Sequence, residues 1–260
     1  MAARGGAAPG RGSGMAAIMR GVGVALATAG MVVPAGIVRG FAVVAASARE
    51  AAQPLAHHAT VLNGEIAGSG FAIAPDRVLT NAHVVRGLAP GAVLVLLASQ
   101  EAPDGSRAQV LARVLAISER MDLALLSVPA GFLPQVGAAD APLRTGLALR
   151  AAGVDAGEGA VTLPRMELPG RLVGTRPGAT AFGPGVVARL PGVRPGFSGG
   201  PVLDDEGRLV GMIAAIRPAR MPWPAAGRVR VHRPAGSDEA LVLPAAAIRA
   251  EAARLEALRR

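Results

Sequence analysis

The chain has no cysteine, no lysine and no tyrosine, and among its 260 residues there are one Trp and five Phe. Without cysteine there can be no disulfide framework, no thiol nucleophile and no thiolate metal site. The nucleophiles that remain are serine, threonine and carboxylates. Charged residues amount to only 17%, which excludes a charge-rich coiled coil and a charged disordered chain. The formal charge of +9 is carried wholly by arginine, and residues 1–48 hold Arg4, Arg11, Arg20 and Arg39 with no acid. With aromatics at 2% there is little to stack on bases and no reading motif, so nucleic acid is not an expected partner. His57, His58 and His232 stand outside any ligand-spaced cluster and read as structural or surface residues; neither a metal nor a cofactor is expected.

Hydrophobic residues make up 51%, with 35 Gly and 21 Pro. This length is one large domain or two small ones, and the punctuation favours an all-β fold. The first 48 residues differ from the rest. Arg20 precedes the apolar stretch Gly21–Val38, and Ala46-Ser47-Ala48 offers a small-x-small cleavage site. Residues 1–48 therefore read as a signal peptide or N-terminal anchor, residues 49–58 as a linker, and 59–260 as the folded domain. Export to the periplasm or exterior follows; the alternative is an uncleaved anchor in the inner membrane, the one case in which a membrane is a partner.

Beyond Ala59, short apolar runs alternate with turn residues. Expected strands are Glu65–Ala74, Val78–Thr80, Val93–Leu97, Val110–Ala116, Leu123–Val128, Leu147–Ala152, Val186–Leu190, Pro201–Leu203, Arg208–Ala215 and Ala240–Leu243. Pro75-Asp76 and Asp204-Asp205-Glu206-Gly207 supply turns. After Pro244 a helix is expected, with Ile248, Ala252, Leu255 and Leu258 on one face and Arg259 and Arg260 against its C-terminal dipole. No internal repeat is visible.

Three segments carry chemistry: Leu79-Thr80-Asn81-Ala82-His83-Val84-Val85, then Met121-Asp122-Leu123-Ala124-Leu125-Leu126, then Pro195-Gly196-Phe197-Ser198-Gly199-Gly200-Pro201. They supply a base, a carboxylate and a hydroxyl. Serine is a poor nucleophile unless an imidazole takes its proton and a carboxylate holds that imidazole, which points to His83, Asp122 and Ser198 as catalytic residues. Glycines around Ser198 permit a tight loop whose Gly196 and Ser198 N–H groups can stabilise an oxyanion. The same glycines fit a Gly-x-Ser-x-Gly elbow, but that fold needs an acid and then a histidine after the serine. Only His232 follows, on an Arg-rich stretch, so chain order rejects it.

With Gly-Ser-Gly-Phe at 68–71 and Gly-Arg-Leu-Val-Gly-Met-Ile at 207–213, these motifs resemble the chymotrypsin-like serine proteases, within them the bacterial high-temperature-requirement (HtrA) type, over residues 59–258. The resemblance implies two six-stranded antiparallel β-barrels with a closing C-terminal helix and a site in the crevice between them. It implies a serine endopeptidase acting on polypeptide substrates through an acyl-enzyme. It places Gly192 at the base of the first specificity pocket and Ala214, Ala215 and Ile216 along one wall. No acid greets Lys or Arg there, so small or medium aliphatic side chains are expected. Arg217, Arg220 and Arg228 near that wall read as solvated rim charge.

Two departures stand out. Phe197 occupies the position where digestive relatives carry an Asp that pairs with a newly cut N-terminus, so no activating cut is expected. Ala214 falls where many relatives place a hydroxyl beside the catalytic Asp, which leaves Asp122 to backbone donors near Ala82 and His83. Both departures motivate the alternative, a protease-fold binding protein with a collapsed oxyanion loop. No C-terminal PDZ domain and no aromatic trimerisation segment are apparent, so a monomer is expected rather than a trimer.

Overall fold

The computed structural model describes residues 53–64, 66–102, 104–157, 162–217 and 237–260. The chain builds two closed antiparallel β-barrels and one C-terminal helix. The first barrel comprises β1 (His58–Asn63), β2 (Ile66–Ala74), β3 (Arg77–Thr80), β4 (Val93–Glu101), β5 (Arg107–Ile117) and β6 (Ala124–Ser127). Its order is β1-β2-β3-β6-β5-β4, closed by the pairing of β4 with β1. The second contains β7 (Ala148–Val154), β8 (Arg165–Leu172), β10 (Gly183–Val193), β11 (Pro201–Asp204), β12 (Leu209–Arg217) and β13 (Ser237–Pro244). Its order is β13-β12-β11-β7-β8-β10, and a β10–β13 pairing closes it, with the short β9 (Gly178–Thr180) added on β10.

Counted from its own first strand, each barrel has the same order. The duplication is in topology, not in sequence, because a barrel requires only alternation of inward and outward side chains, which many sequences supply. In β4, for instance, Leu94, Leu96 and Ala98 point into the core while Val93, Val95 and Leu97 are more exposed. The turns follow their residues. Asp204 Oδ1 accepts the N–H groups of Glu206 (3.1 Å) and Arg208 (2.8 Å), and Gly207 takes φ +76° to return the chain into β12.

Three strands lie outside the expected set: β1, β8 and β9. β1 buries His58 and Thr60, which masks its alternation, and β8 carries Pro169, Gly170 and three charges. Residues 54–57, within the stretch expected as a linker, form a 3-10 turn that touches β4 of the first barrel and β7, β8 and β11 of the second.

The helix α1 (Ala245–Ala257) packs on β12, β13 and β5, with Ile248, Ala252 and Leu255 buried. Leu258 does not continue that face. It caps the helix, its N–H donating to Arg254 O, and is 71% exposed. The chain thus leaves the barrel surface one turn earlier than the apolar spacing suggests.

Candidate active site

The shared strand order places the chemistry. His83 lies in the connection from the third to the fourth strand of the first barrel, and Ser198 in the corresponding connection of the second. Asp122 stands just before β6.

Asp122 is tied down on three sides. Its N–H donates to Phe182 O of the second barrel (2.9 Å), its carbonyl accepts from Asn81 Nδ2 (2.7 Å), and its Oδ1 accepts the backbone N–H of His83 (2.9 Å). The remaining oxygen, Oδ2, lies 2.7 Å from His83 Nδ1. A carboxylate only accepts, so the imidazole proton sits on Nδ1 and Nε2 is left as a base. The side chain of Asp122 is 9% exposed against 32% for His83, so the acid is enclosed while the imidazole reaches the surface. Behind them, Ser118 Oγ accepts the N–H groups of Arg120 (3.0 Å) and Met121 (3.2 Å) and donates to Glu251 of α1. The C-terminal helix therefore holds the loop that carries Asp122.

The loop 194–200 is seated on bare backbone. A Cβ on Gly196 (φ +101°) would fall 2.3 Å from Val154 O, and one on Gly199 (φ +88°) 2.0 Å from Ser69 O. Only glycine fits at either position. Phe197 is fully buried in the second core, with its ring against Gly153. Ser69 N–H donates to Ser198 O (2.8 Å), and Gly199 N–H to Ile213 O (2.8 Å). Pro195 O accepts from Ala156 N–H at 2.9 Å. A trans peptide points its C=O and N–H in opposite directions, so the Gly196 N–H is turned away from Ala156. Among the described residues neither it nor the Ser198 N–H has an acceptor, and no hydrogen bond joins His83 Nε2 to the Ser198 hydroxyl.

Of the residues expected around the specificity pocket, Gly192, the last but one residue of β10, has φ +84° and offers its carbonyl to Arg194 Nε (3.1 Å), while Arg194 also pairs with Asp155. Ala214 is 1% exposed and packs in the core with Met121 and Leu123, whereas Ala215 and Ile216 are half-buried. Arg220, Arg228 and His232 lie outside the described residues. No group of three or more His, Asp or Glu able to hold a metal occurs among the described residues.

Two residues at the site escaped sequence reading. His58 and Ser69 are fully buried and hydrogen-bonded to each other. The one local signal was Ser69 standing between two glycines in an otherwise apolar strand.

Two closed six-stranded antiparallel barrels with a C-terminal helix constitute a chymotrypsin-like fold. The model of the trypsin-like peptidase domain matches residues 68–212, more than half of the chain, and the protein belongs to that family as a serine endopeptidase. No curated protein matches the sequence. Among solved structures, the inactive form of the Rv3671c protease is similar at 24% identity and TM-score 0.57, covering 82% of this chain and 95% of that one. The HtrA-type protease AlgW, solved with a tripeptide, matches at 21% identity and TM-score 0.58 over 82% of this chain and 64% of its own. The serine endoprotease of Yersinia pestis matches at 18% identity and TM-score 0.56 over 81% and 65%.

Proposed function

We propose that this endopeptidase cleaves polypeptides through His83, Asp122 and Ser198. The Ser198 hydroxyl attacks the scissile carbonyl while His83 Nε2 takes its proton, and Asp122 keeps the imidazole in the required tautomer and balances its charge. The amine leaves with that proton, and water, activated by the same imidazole, releases the acyl group. The N–H groups of Gly196 and Ser198 receive the oxyanion. One observation carries this reading: among the described residues both N–H groups lack an acceptor, while the Pro195 carbonyl, which would occupy the oxyanion position in a collapsed loop, is held by Ala156.

The family resemblance sets Gly192 at the base and Ala214, Ala215 and Ile216 along one wall of the first specificity pocket, with none of the four acidic, which supports a preference for small or medium aliphatic side chains at the residue preceding the cut, at about 1–3 kcal/mol per methylene. An extended peptide is the proposed occupant of the cleft between the barrels. Export with cleavage near Arg49 is the proposed route; mass spectrometry of the secreted protein starting near that residue supports it, and recovery of Gly21–Val38 in membranes favours the anchor.

The test is a serine-directed fluorophosphonate. Wild type takes the label and Ser198→Ala does not. An unlabelled, folded wild type would make this a binding protein instead.

A further inference from the structure

Every carbonyl from Pro195 to Ser198 is held by a donor. Pro195 O takes Ala156 N–H and Phe197 O takes Gly200 N–H, both at 2.9 Å. The other two are held by one residue: Ser69 Oγ donates to Gly196 O (2.6 Å), and Ser69 N–H donates to Ser198 O (2.8 Å). The peptides bearing the two unbonded N–H groups are 195–196 and 197–198. Those alternating with them, 196–197 and 198–199, are the ones Ser69 grips. A peptide turns over only by rotating the bonds it shares with its neighbours, so Ser69 restrains both free N–H groups without touching either.

The Ser69 hydroxyl is itself held. In the β1–β2 register Thr60 pairs with Ser69, which puts His58, two residues before Thr60, on the same face. His58 Nε2 lies 2.8 Å from Ser69 Oγ, and Val154 N–H donates to the same oxygen at 3.2 Å. On the other side, one step past the Ala59–Ala98 pair of β1 and β4, His58 Nδ1 lies 2.5 Å from Ser99 Oγ. The direction of this chain is determined by its end. The Gly196 carbonyl only accepts, so Ser69 must donate to it; His58 must then donate from Nε2 to Ser69, and Ser99 must donate to His58 Nδ1. Burial is complete at His58 and, with Arg165 nearby, pushes its pKa down to about 3, which keeps the imidazole neutral as this wiring demands.

We infer that Ser69, oriented by His58, is a positioning residue for the oxyanion loop, holding the Gly196 and Ser198 carbonyls so that the intervening N–H groups stay available to the reaction. This rests on the catalytic reading of Ser198. The neutral imidazole links β4 of the first barrel to the nucleophile loop of the second, so the alignment of the two barrels is transmitted to the reaction centre.

The experiment compares wild type, Ser69→Ala, His58→Phe, His58→Gln and the Ser69→Ala/His58→Phe double variant. For each, kcat and KM per titrated active site, affinity for a peptide boronic acid and melting temperature are measured. Loss of the positioning hydroxyl lowers kcat about 10- to 100-fold, less than or equal to the loss of a direct oxyanion donor, and weakens the boronate by a similar factor while KM changes little. His58→Phe moves in the same direction, the double variant is no worse than Ser69→Ala, and His58→Gln, which retains an N–H donor, recovers part of the loss. If Ser69→Ala fails to fold, the contrast between His58→Phe and His58→Gln decides in its place. Wild-type kcat and boronate affinity in Ser69→Ala, with only a lower melting temperature, would overturn the inference and leave the catalytic reading intact. A wild type that takes no fluorophosphonate label defeats both.

Discussion

Phe197 lies directly on Gly153: a methyl group added to that glycine would fall 2.4 Å from two ring carbons. The residue before Ser198 is therefore an apolar anchor driven into the second barrel, where digestive relatives carry a carboxylate. Burying a ring of this size contributes about 1.5–3 kcal/mol, and here it does so at the base of the nucleophile loop.

Gly153→Ala forces the ring out of its seat. Overpacking of this kind costs about 1–3 kcal/mol, so a lower melting temperature and slower fluorophosphonate labelling are expected together. Phe197→Asp is expected to be less stable and less active than Phe197→Asn, because a buried unpaired anion costs more than a buried amide. Equal stability and equal activity of those two would contradict the apolar seating.

Ser198→Ala and His83→Ala are each expected to remove nearly all peptidase activity with the fold retained, since both belong to the one proton-transfer unit proposed above. Asp122→Asn presents an amide to His83 Nδ1 and favours the wrong tautomer, for a fall in kcat of about 10⁴-fold. Circular dichroism alongside peptide hydrolysis separates loss of chemistry from loss of structure.

His58 gives stability a pH dependence of defined sign. Its ordinary value of 6.5 is pushed down to about 3 by burial and then by the charge of Arg165. At intermediate pH an unfolded chain takes up a proton that the folded chain refuses. Stability is therefore full above the unfolded value and declines as pH falls toward the folded one, by about 1.4 kcal/mol per unit from this group. Denaturant titrations between about pH 6 and 4 should show a shallower decline in His58→Gln than in wild type. Parallel slopes would mean that the imidazole does not stay neutral.

Glu251 links the helix to the Asp122 loop through Ser118, and Arg254 pairs with it at 2.6 Å. The Arg254 hydrogen bond, helped by Ser118, holds its carboxyl below the usual range against the opposing effect of burial. This group therefore stabilises the fold above its unfolded pKa and ceases to do so as acid protonates the folded carboxylate. Glu251→Ala should lower the melting temperature at neutral pH and reduce kcat by loosening the Met121–Asp122 segment, with a smaller difference from wild type in acid. An unchanged kcat would show that the helix clasp does not reach Asp122.

Much of this protein was determined by sequence alone. Histidine, aspartate and serine segments in order, turn residues at Asp204–Gly207 and an apolar stripe after Pro244 are local patterns, and the structure places a hairpin and a helix where they occur. Tertiary structure decided what locality cannot record. Ser69 and Gly196 are 127 residues apart, and no spacing rule joins them. His58 looked like an ordinary histidine because its role depends on Ser99 and Ser69 reaching it from two neighbouring strands. Leu258 matched the helix period yet lies past the last turn, exposed, because the end of a helix is decided by what it packs on. The common strand order of the two barrels left no trace in the chain, since closure constrains which side chains point inward and how strands pair, not which residues do so.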